Sequence, residues 1–313
     1  MIAFLFPGQG AQKVGMGRLF SDIPVCREAF AEADAALGEP ISALCFEGPE
    51  DRLVLTENAQ PAILAVSVAI WRLLDARGFE AAFAAGHSLG EYSAHVAAGT
   101  LSYADALRTV RRRGRYMQEA VPLGDGAMAA VLGLDADGVI DTCAAAAAEN
   151  PAWVVTAANL NAPGQVVIAG HTAAVQRAGE LARAAGAKRV IPLAVSAPFH
   201  CPLMKPAEDR LAPELRALPA NDPRIPVVAN VDAEPKRDAR AAIEALVRQV
   251  SAPVRWEAVV RRLIAEGVRT FIEVGPGTVL AGLVKKIDRS VAVVSTEDPA
   301  AVSALDPKAL AGS

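Results

Sequence analysis

The chain has 313 residues, about twice the roughly 150 that serve as a prior for one domain, which allows one large domain with an insertion or two domains. Hydrophobic residues make up 52% and charged residues 21%, a balance that supplies a large core and argues against wholesale disorder. The net charge of −4 gives no basic footprint for nucleic acid, and it neither requires nor excludes an acidic protein partner.

The first six residues enter an apolar run with no basic residue before it and no small-residue cleavage site after it. They do not read as a secretion signal, so a cytoplasmic protein is expected. Apolar stretches such as residues 62–71 are broken by Ser67 and fall short of the ~18 residues of a membrane span, so no membrane insertion is expected. Cys26, Cys45, Cys143 and Cys201 are scattered and form no C-x-x-C pair. His87, His95, His171 and His200 have no ligand spacing, so no metal site is expected.

In chain order, residues 2–6 read as a buried strand and residues 58–74 as a buried helix with Pro61 in its first turn. Residues 80–85 read as a short strand. Residues 103–120 read as a strongly amphipathic helix with Ser102 as its N-cap. From Gly124 the rhythm changes. Strand 128–134, helix 135–149, strands 153–159 and 165–169 joined by Asn-Ala-Pro-Gly, helix 172–185 and strand 189–193 give the order β-α-β-β-α-β. That order is the ferredoxin-like one, here inserted into a larger α/β domain with a largely parallel sheet. The chain returns with strand 225–230, helices 239–250 and 256–266, and strand 270–274. The segment beyond about Thr296 is small and polar and is expected to be loosely held.

Gly86-His87-Ser88-Leu89-Gly90 lies between a strand-like run and a helix-like run, the context of a nucleophile elbow. There the serine sits on a turn too tight for side chains two residues before and after it. The free N–H groups of the following helix favour a developing oxyanion. A nucleophilic serine needs a base. His87 and His95 are too close in sequence to face Ser88, and His171 sits at a helix start where a capping or surface role is expected. His200 is left, in a loop bracketed by Pro198 and Pro202. Gly8-Gln9-Gly10 follows the first strand but lacks the spacing of a Rossmann or Walker loop. A turn that exposes N–H groups to an oxyanion and a plain tight turn remain equal readings there.

Arg111, Arg112, Arg113 and Arg115 lie on the helix that begins near Tyr103. At ~100° per residue, Tyr103, Ala106, Leu107, Val110, Gly114 and Met117 form the apolar arc, and Arg108, Arg112 and Arg115 lie opposite it. Arg111 and Arg113 flank the arc, so one of them can reach a cleft. A buried-edge arginine calls for an anionic ligand or a structural acid, and the wheel does not choose between these.

Phe6-Pro7-Gly8-Gln9-Gly10-Ala11-Gln12, Gly86-His87-Ser88-Leu89-Gly90-Glu91-Tyr92, Arg113-Gly114, Asn159-Leu160-Asn161-Ala162-Pro163-Gly164-Gln165, Pro198-Phe199-His200, Gln249 and Gly275-Pro276-Gly277 occur in that order. Together they resemble the malonyl-CoA:acyl carrier protein transacylases of bacterial fatty acid synthesis, from the first strand to about Lys286. The resemblance implies an α/β-hydrolase-like catalytic domain, residues 1–123 and 194–313, carrying the ferredoxin-like subdomain at 124–193. It implies Ser88 as nucleophile, His200 as base and acid, and the Gln249 carbonyl as the group that orients His200. It further implies the Gln9 and Leu89 N–H groups as oxyanion hole, Arg113 as partner of the malonyl carboxylate, and Phe199 beside the acyl C2. Met117 or Gln165 are the alternatives for acyl selection. Malonyl-CoA and acyl carrier protein would be the substrates of a monomer without a cofactor. Lys285 and Lys286 would touch an acidic carrier or neutralise a helix C-terminus.

A polyketide acyltransferase and the transacylase subunit of malonate decarboxylase share this chemistry. An esterase or thioesterase wants an Asp or Glu between serine and histidine, and only Asp125, Asp135 and Asp137 in the insertion offer themselves. A non-catalytic carrier-docking module would not need an intact Ser88 and His200.

Overall fold

The computed structural model describes residues 1–307. Among the described residues ten strands form two sheets: β1 Ile2–Phe6, β2 Phe83–Gly86, β3 Gly126–Leu132, β4 Val155–Ala162, β5 Gln165–His171, β6 Arg189–Pro192, β7 Val227–Val228, β8 Pro235–Lys236, β9 Thr270–Glu273 and β10 Ala292–Ser295. The larger sheet runs β10-β9-β1-β2-β7-β8, parallel except at its β7-β8 edge. Its centre is β1, every residue of which is buried. Because side chains alternate along a strand, Ile2, Phe4 and Phe6 enter one core while Ala3 and Leu5 enter a second core on the opposite face. A strand covered on both faces reads as an unbroken apolar run, which is why this one is plain in the sequence.

The helix Thr56–Ala76 fills the first core. It is long and apolar enough by composition to cross a membrane, yet 72% of its most apolar 18-residue window is buried inside the protein. It starts two residues earlier than the sequence suggests, with Asn58 and Ala59 both donating to the Leu55 carbonyl, so Pro61 lies within the helix and not in its first turn.

Residues 126–192 adopt the expected succession of strands and helices. They form a second, four-stranded antiparallel sheet ordered β4-β5-β3-β6, with helices Ala136–Ala148 and Thr172–Ala184 packed against it over a separate core. Asp135 caps the first of these helices by accepting from the Gly138 N–H. A two-bond bridge fastens β4 to the rest of the chain: Leu160 N–H donates to the Val254 carbonyl and Val254 N–H to that of Ala158, each at 2.9 Å.

Three expectations need correction. The strand at 225–230 shrinks to Val227–Val228, because Pro226 has no N–H to give and Ala229 already turns back to the Glu234 carbonyl. The strand at 80–85 moves to Phe83–Gly86, in register with β1. The segment after Thr296 is held and not loose: Thr296 and Val302 are buried, Pro299–Ala304 is helical, and the Arg77 guanidinium donates to the carbonyls of Val302, Ser303 and Leu305. The last six residues of that segment lie outside the described residues. Strands β8 and β10 and helices Pro24–Leu37, Ile41–Glu47, Glu50–Leu53, Lys205–Arg216 and Val279–Ile287 add to the elements expected.

Candidate active site

The paired strands β1 and β2 end level, Phe6 opposite Gly86, so the loops that follow them rise side by side at the carboxyl edge of the sheet. Open parallel sheets place their ligands at that edge. Ser88 sits on the loop after β2 with φ of 50°, a left-handed conformation that costs a non-glycine residue about 1–3 kcal/mol. Asn230, wholly buried after β7, offsets that strain. Its Oδ1 accepts from Ser88 N–H at 2.7 Å and its Nδ2 donates to the Gly86 carbonyl at 2.7 Å. The two flanking glycines are needed for space: a Cβ at Gly86 would stand 1.9 Å from the Gly90 carbonyl carbon, and one at Gly90 would stand 2.0 Å from the Phe6 oxygen.

Ser88 Oγ and His200 Nε2 are 2.6 Å apart. The other ring nitrogen faces two main-chain carbonyls, Gln249 O at 3.0 Å and Ala252 O at 3.2 Å. Carbonyls only accept, so Nδ1 carries the proton and Nε2 is left free to take one from Ser88. No carboxylate takes part in this contact among the described residues, so the acid an esterase would need is replaced by main-chain oxygen. Burial, with the Arg113 charge adding to it, holds the His200 imidazole down to about 3 and therefore neutral.

Arg113 is 1% exposed and points into the site from the helix Tyr103–Glu119. Its Nη1 donates to Gln60 Oε1 at 2.8 Å, and its Nη2 donates to Gln249 Oε1 at 2.9 Å and to Ser88 Oγ at 3.1 Å. Its buried Nε has no partner among the described residues, and neither does any carboxylate reach the guanidinium directly. The structural acid that the helical wheel left open is thus absent from contact, and the site presents a buried cation beside Ser88, its guanidinium 5.5 Å from the centre of the Tyr92 ring. Arg111 is the other kind: it is tied to Asn58 and Glu39 away from the serine.

A pocket of about 300 Å³ opens over these groups. Gln9, His87, Ser88 and Arg113 line it together with Met117, Phe199 and His200, and Met128, Asn159, Leu193, Ala194 and Val195 close the side toward the smaller sheet. Phe199 and Met117 therefore both stand at the pocket. Gln165 does not: its Oε1 accepts from Lys286 Nζ at the surface, which removes it as an acyl-selecting residue. Gln249 is wholly buried behind the wall. The main-chain N–H groups of Gln9, a pocket residue, and of Leu89, next to Ser88 in the chain, make no main-chain hydrogen bond among the described residues. His87 lines the pocket without facing Ser88 as a base: its Nε2 lies on Asn161 Oδ1 at 2.8 Å and its ring packs against Trp256. His171 occupies the N-cap position of the helix Thr172–Ala184, but its side chain does not cap that helix: its Nδ1 accepts the Val154 N–H.

Sequence reasoning did not reach Asn230, Gln60, Glu91 or the side chain of Gln249. Each is buried at 1% exposure or less. Of the four only Asn230 is a lone amide in an apolar run, residues 227–231, the one signal by which the sequence could have singled it out; the other three stand among polar neighbours.

The fold is α/β, and the comparisons with known proteins make the chain an acyltransferase. The model of the acyl transferase domain matches residues 3–308, so the chain belongs to the acyl transferase family. It is 50% identical over 299 residues to the malonyl CoA-acyl carrier protein transacylase of Bacillus subtilis, covering 95% of this chain and 94% of that one. An acyl carrier protein S-malonyltransferase from Vibrio cholerae superposes with a TM-score of 0.94 at 48% identity, over 97% of this chain and 99% of its own. A malonyl-transacylase solved in complex with a type II PKS acyl-carrier protein gives 0.94 at 46% identity, over 100% and 99%.

Proposed function

We propose that the protein moves a malonyl group from malonyl-CoA to the phosphopantetheine thiol of acyl carrier protein through an ester on Ser88. One observation carries this reading: Ser88 Oγ is shared between a neutral base, His200 Nε2 at 2.6 Å, and a buried cation, Arg113 Nη2 at 3.1 Å. A hydrolase needs only the first contact. The second suits an acyl group that itself ends in a carboxylate, and the names borne by the relatives agree with it.

In the first half-reaction His200 takes the Ser88 proton as the oxygen attacks the thioester carbonyl. The new C–O bond forms, the C–S bond breaks, and His200 returns the proton to the departing thiolate of coenzyme A. In the second half the thiol of the carrier protein gives its proton to His200, its sulfur attacks the ester, and Ser88 leaves with that proton. The Gln249 carbonyl holds Nδ1–H throughout and stabilises the imidazolium, and the Gln9 and Leu89 N–H groups receive the oxyanion in both halves. Arg113 lowers the basicity of His200 in the empty site. A malonyl carboxylate seated on Arg113 offsets that charge, so the base strengthens when the right substrate is bound.

Both thiols arrive on substrates, so the reading calls for no cofactor, and it takes the enzyme as a monomer of the cytoplasm. We likewise read residues 124–193 as a ferredoxin-like subdomain set into an α/β-hydrolase-like catalytic domain, 1–123 and 194–313. The strand order β4-β5-β3-β6 and the parallel sheet ending in the elbow support this. The relative in complex with a type II PKS acyl-carrier protein makes a polyketide carrier the second reading. Mixing the protein with malonyl-CoA and holo carrier protein tests the proposal. Malonylated carrier is expected, fastest with the cognate carrier. Release of free malonate alone would make the protein a thioesterase, and no turnover would make it a binding module.

A further inference from the structure

Among the described residues Glu91 is the one acidic side chain in the hydrogen-bond network of the elbow, and it takes no part in the acyl transfer itself. It is 0% exposed. Its Oε2 accepts from the Asn230 N–H at 3.0 Å and from Gln249 Nε2 at 2.9 Å, while its Oε1 has no partner among the described residues. A buried carboxylate with one bare oxygen and no cation in contact is poor structural design, since an amide would fill the same space without a charge to desolvate.

The position of Gln249 accounts for it. Guanidinium groups only donate, and Glu91 Oε2, which accepts from the Asn230 N–H, is an acceptor here, so an amide between them has one permitted orientation. Gln249 lies between Arg113 and Glu91, with Oε1 toward the arginine at 2.9 Å and Nε2 toward the glutamate at 2.9 Å. Its second Nε2 hydrogen goes to the main-chain oxygen of Ser88 at 2.9 Å, and its own main-chain oxygen accepts from His200. One residue thus touches nucleophile, base and arginine. A direct Glu91–Arg113 ion pair would neutralise the cation and compete with an acyl carboxylate. The interposed amide holds the arginine in place and leaves its charge available.

We propose that Glu91 is a positioning residue for acyl selection: it locks the Gln249 amide, and through it sets Arg113 for an acyl group bearing a carboxylate. Burial pushes the Glu91 carboxyl up to about 7, with the Asn230 and Gln249 hydrogen bonds holding it lower than burial alone would. The inference rests on the transacylase reading above.

The test is steady-state acyl transfer from malonyl-CoA and from acetyl-CoA by the full-length protein. Glu91→Gln keeps the shape but offers the Gln249 amide either polarity. Its kcat/KM for malonyl-CoA is expected to fall about tenfold or more, with that for acetyl-CoA changing less than threefold. Equal losses on both substrates, or none, would overturn the proposal, because a purely structural glutamate affects both alike. The double variant Glu91→Gln, Gln249→Ala is expected to lose no more than Gln249→Ala alone, whereas losses that multiply would show that Glu91 does not act through Gln249. Should Glu91→Gln fail to fold, Glu91→Asp carries the same test: it keeps the charge but is one methylene too short to reach the amide. The parent protein run alongside separates the two readings, since a parent that moves no malonyl group sinks the function itself and not only the role of Glu91.

Discussion

Arg113 carries a full charge into a site where it meets two amide oxygens and a hydroxyl. A hydrogen bond to a charged group contributes ~1.5–3 kcal/mol, and each ~1.4 kcal/mol is tenfold, so Arg113→Ala should lower kcat/KM for malonyl-CoA by tens of fold or more. Acetyl transfer should suffer much less. Arg111→Ala is the control, because its partners Asn58 and Glu39 lie away from the serine; an equal loss there would mean that the wrong arginine has been assigned. The same residue sets a pH dependence. Since the Arg113 charge helps hold His200 in its neutral form, its removal should move the acid limb of the pH–rate profile upward. Phe199 makes a steric prediction. Its ring lines the pocket, and overpacking against an added methyl costs ~1–3 kcal/mol, so Phe199→Ser should narrow the malonyl to methylmalonyl ratio of kcat/KM. An unchanged ratio in a folded variant would leave selection to Met117 or the wall from Met128 to Val195.

The elbow is the element on which the chemistry stands, and its geometry is steric before it is chemical. Gly90→Ala would force a methyl to 2.0 Å from the Phe6 oxygen, which neither strand can yield without breaking the β1-β2 register. We expect loss of acyl transfer together with a lower melting temperature, in contrast to Ser88→Ala, which should lose transfer and keep its fold. Asn230→Ala removes two hydrogen bonds that hold Ser88 at positive φ and should do both in milder degree. How far the sequence showed these things follows from the range of the forces involved. Strand, elbow and helix 103–119 were apparent because local sterics and periodicity specify them, down to Ser102 accepting from Asp105 N–H. His200 was found by elimination, and Arg113 was separated from Arg111 only by resemblance to a family. Asn230 and the Gln249 side chain escape because they reach Ser88 across 142 and 161 residues of chain, contacts that no local pattern encodes. The two-residue strand β7 was overread for a related reason, since its ends are set by Pro226 and by the turn that delivers Asn230.

At the scale of the whole molecule, two features tie the fold to conditions. His95 is buried in the helix Gly90–Ala97 with neither ring nitrogen partnered among the described residues, and burial holds its imidazole down to about 3. The unfolded chain binds that proton near pH 6.5, so between the two values it binds more protons than the folded chain. Stability from this group is complete above pH 6.5 and is lost as the pH falls, by about 1.4 kcal/mol per unit. His200 acts in the same sense, and Glu91, whose carboxyl is raised, acts in the opposite one. Relative to the parent, His95→Leu should therefore gain about 2 kcal/mol between pH 6.5 and pH 5 in denaturant titrations; a constant difference would contradict the assignment. The second feature is the carboxyl-terminal segment, which closes back on Arg77 and buries Val302. Ending the chain at Thr296 should lower the melting temperature, since a buried valine alone contributes ~1.5–3 kcal/mol. A truncated protein that melts with the parent would return that segment to the loose tail its composition suggests.

All of this depends on Ser88 carrying the acyl group between two thiols. The most direct measurement is intact-mass analysis with peptide mapping after brief mixing with malonyl-CoA in the absence of carrier protein. The parent should gain a single malonyl group, mapped to the peptide that holds Ser88 and discharged on addition of holo carrier protein. Ser88→Ala should gain none. A malonyl group on another residue, or a Ser88→Ala protein that still moves malonyl at the parent rate, would contradict the account.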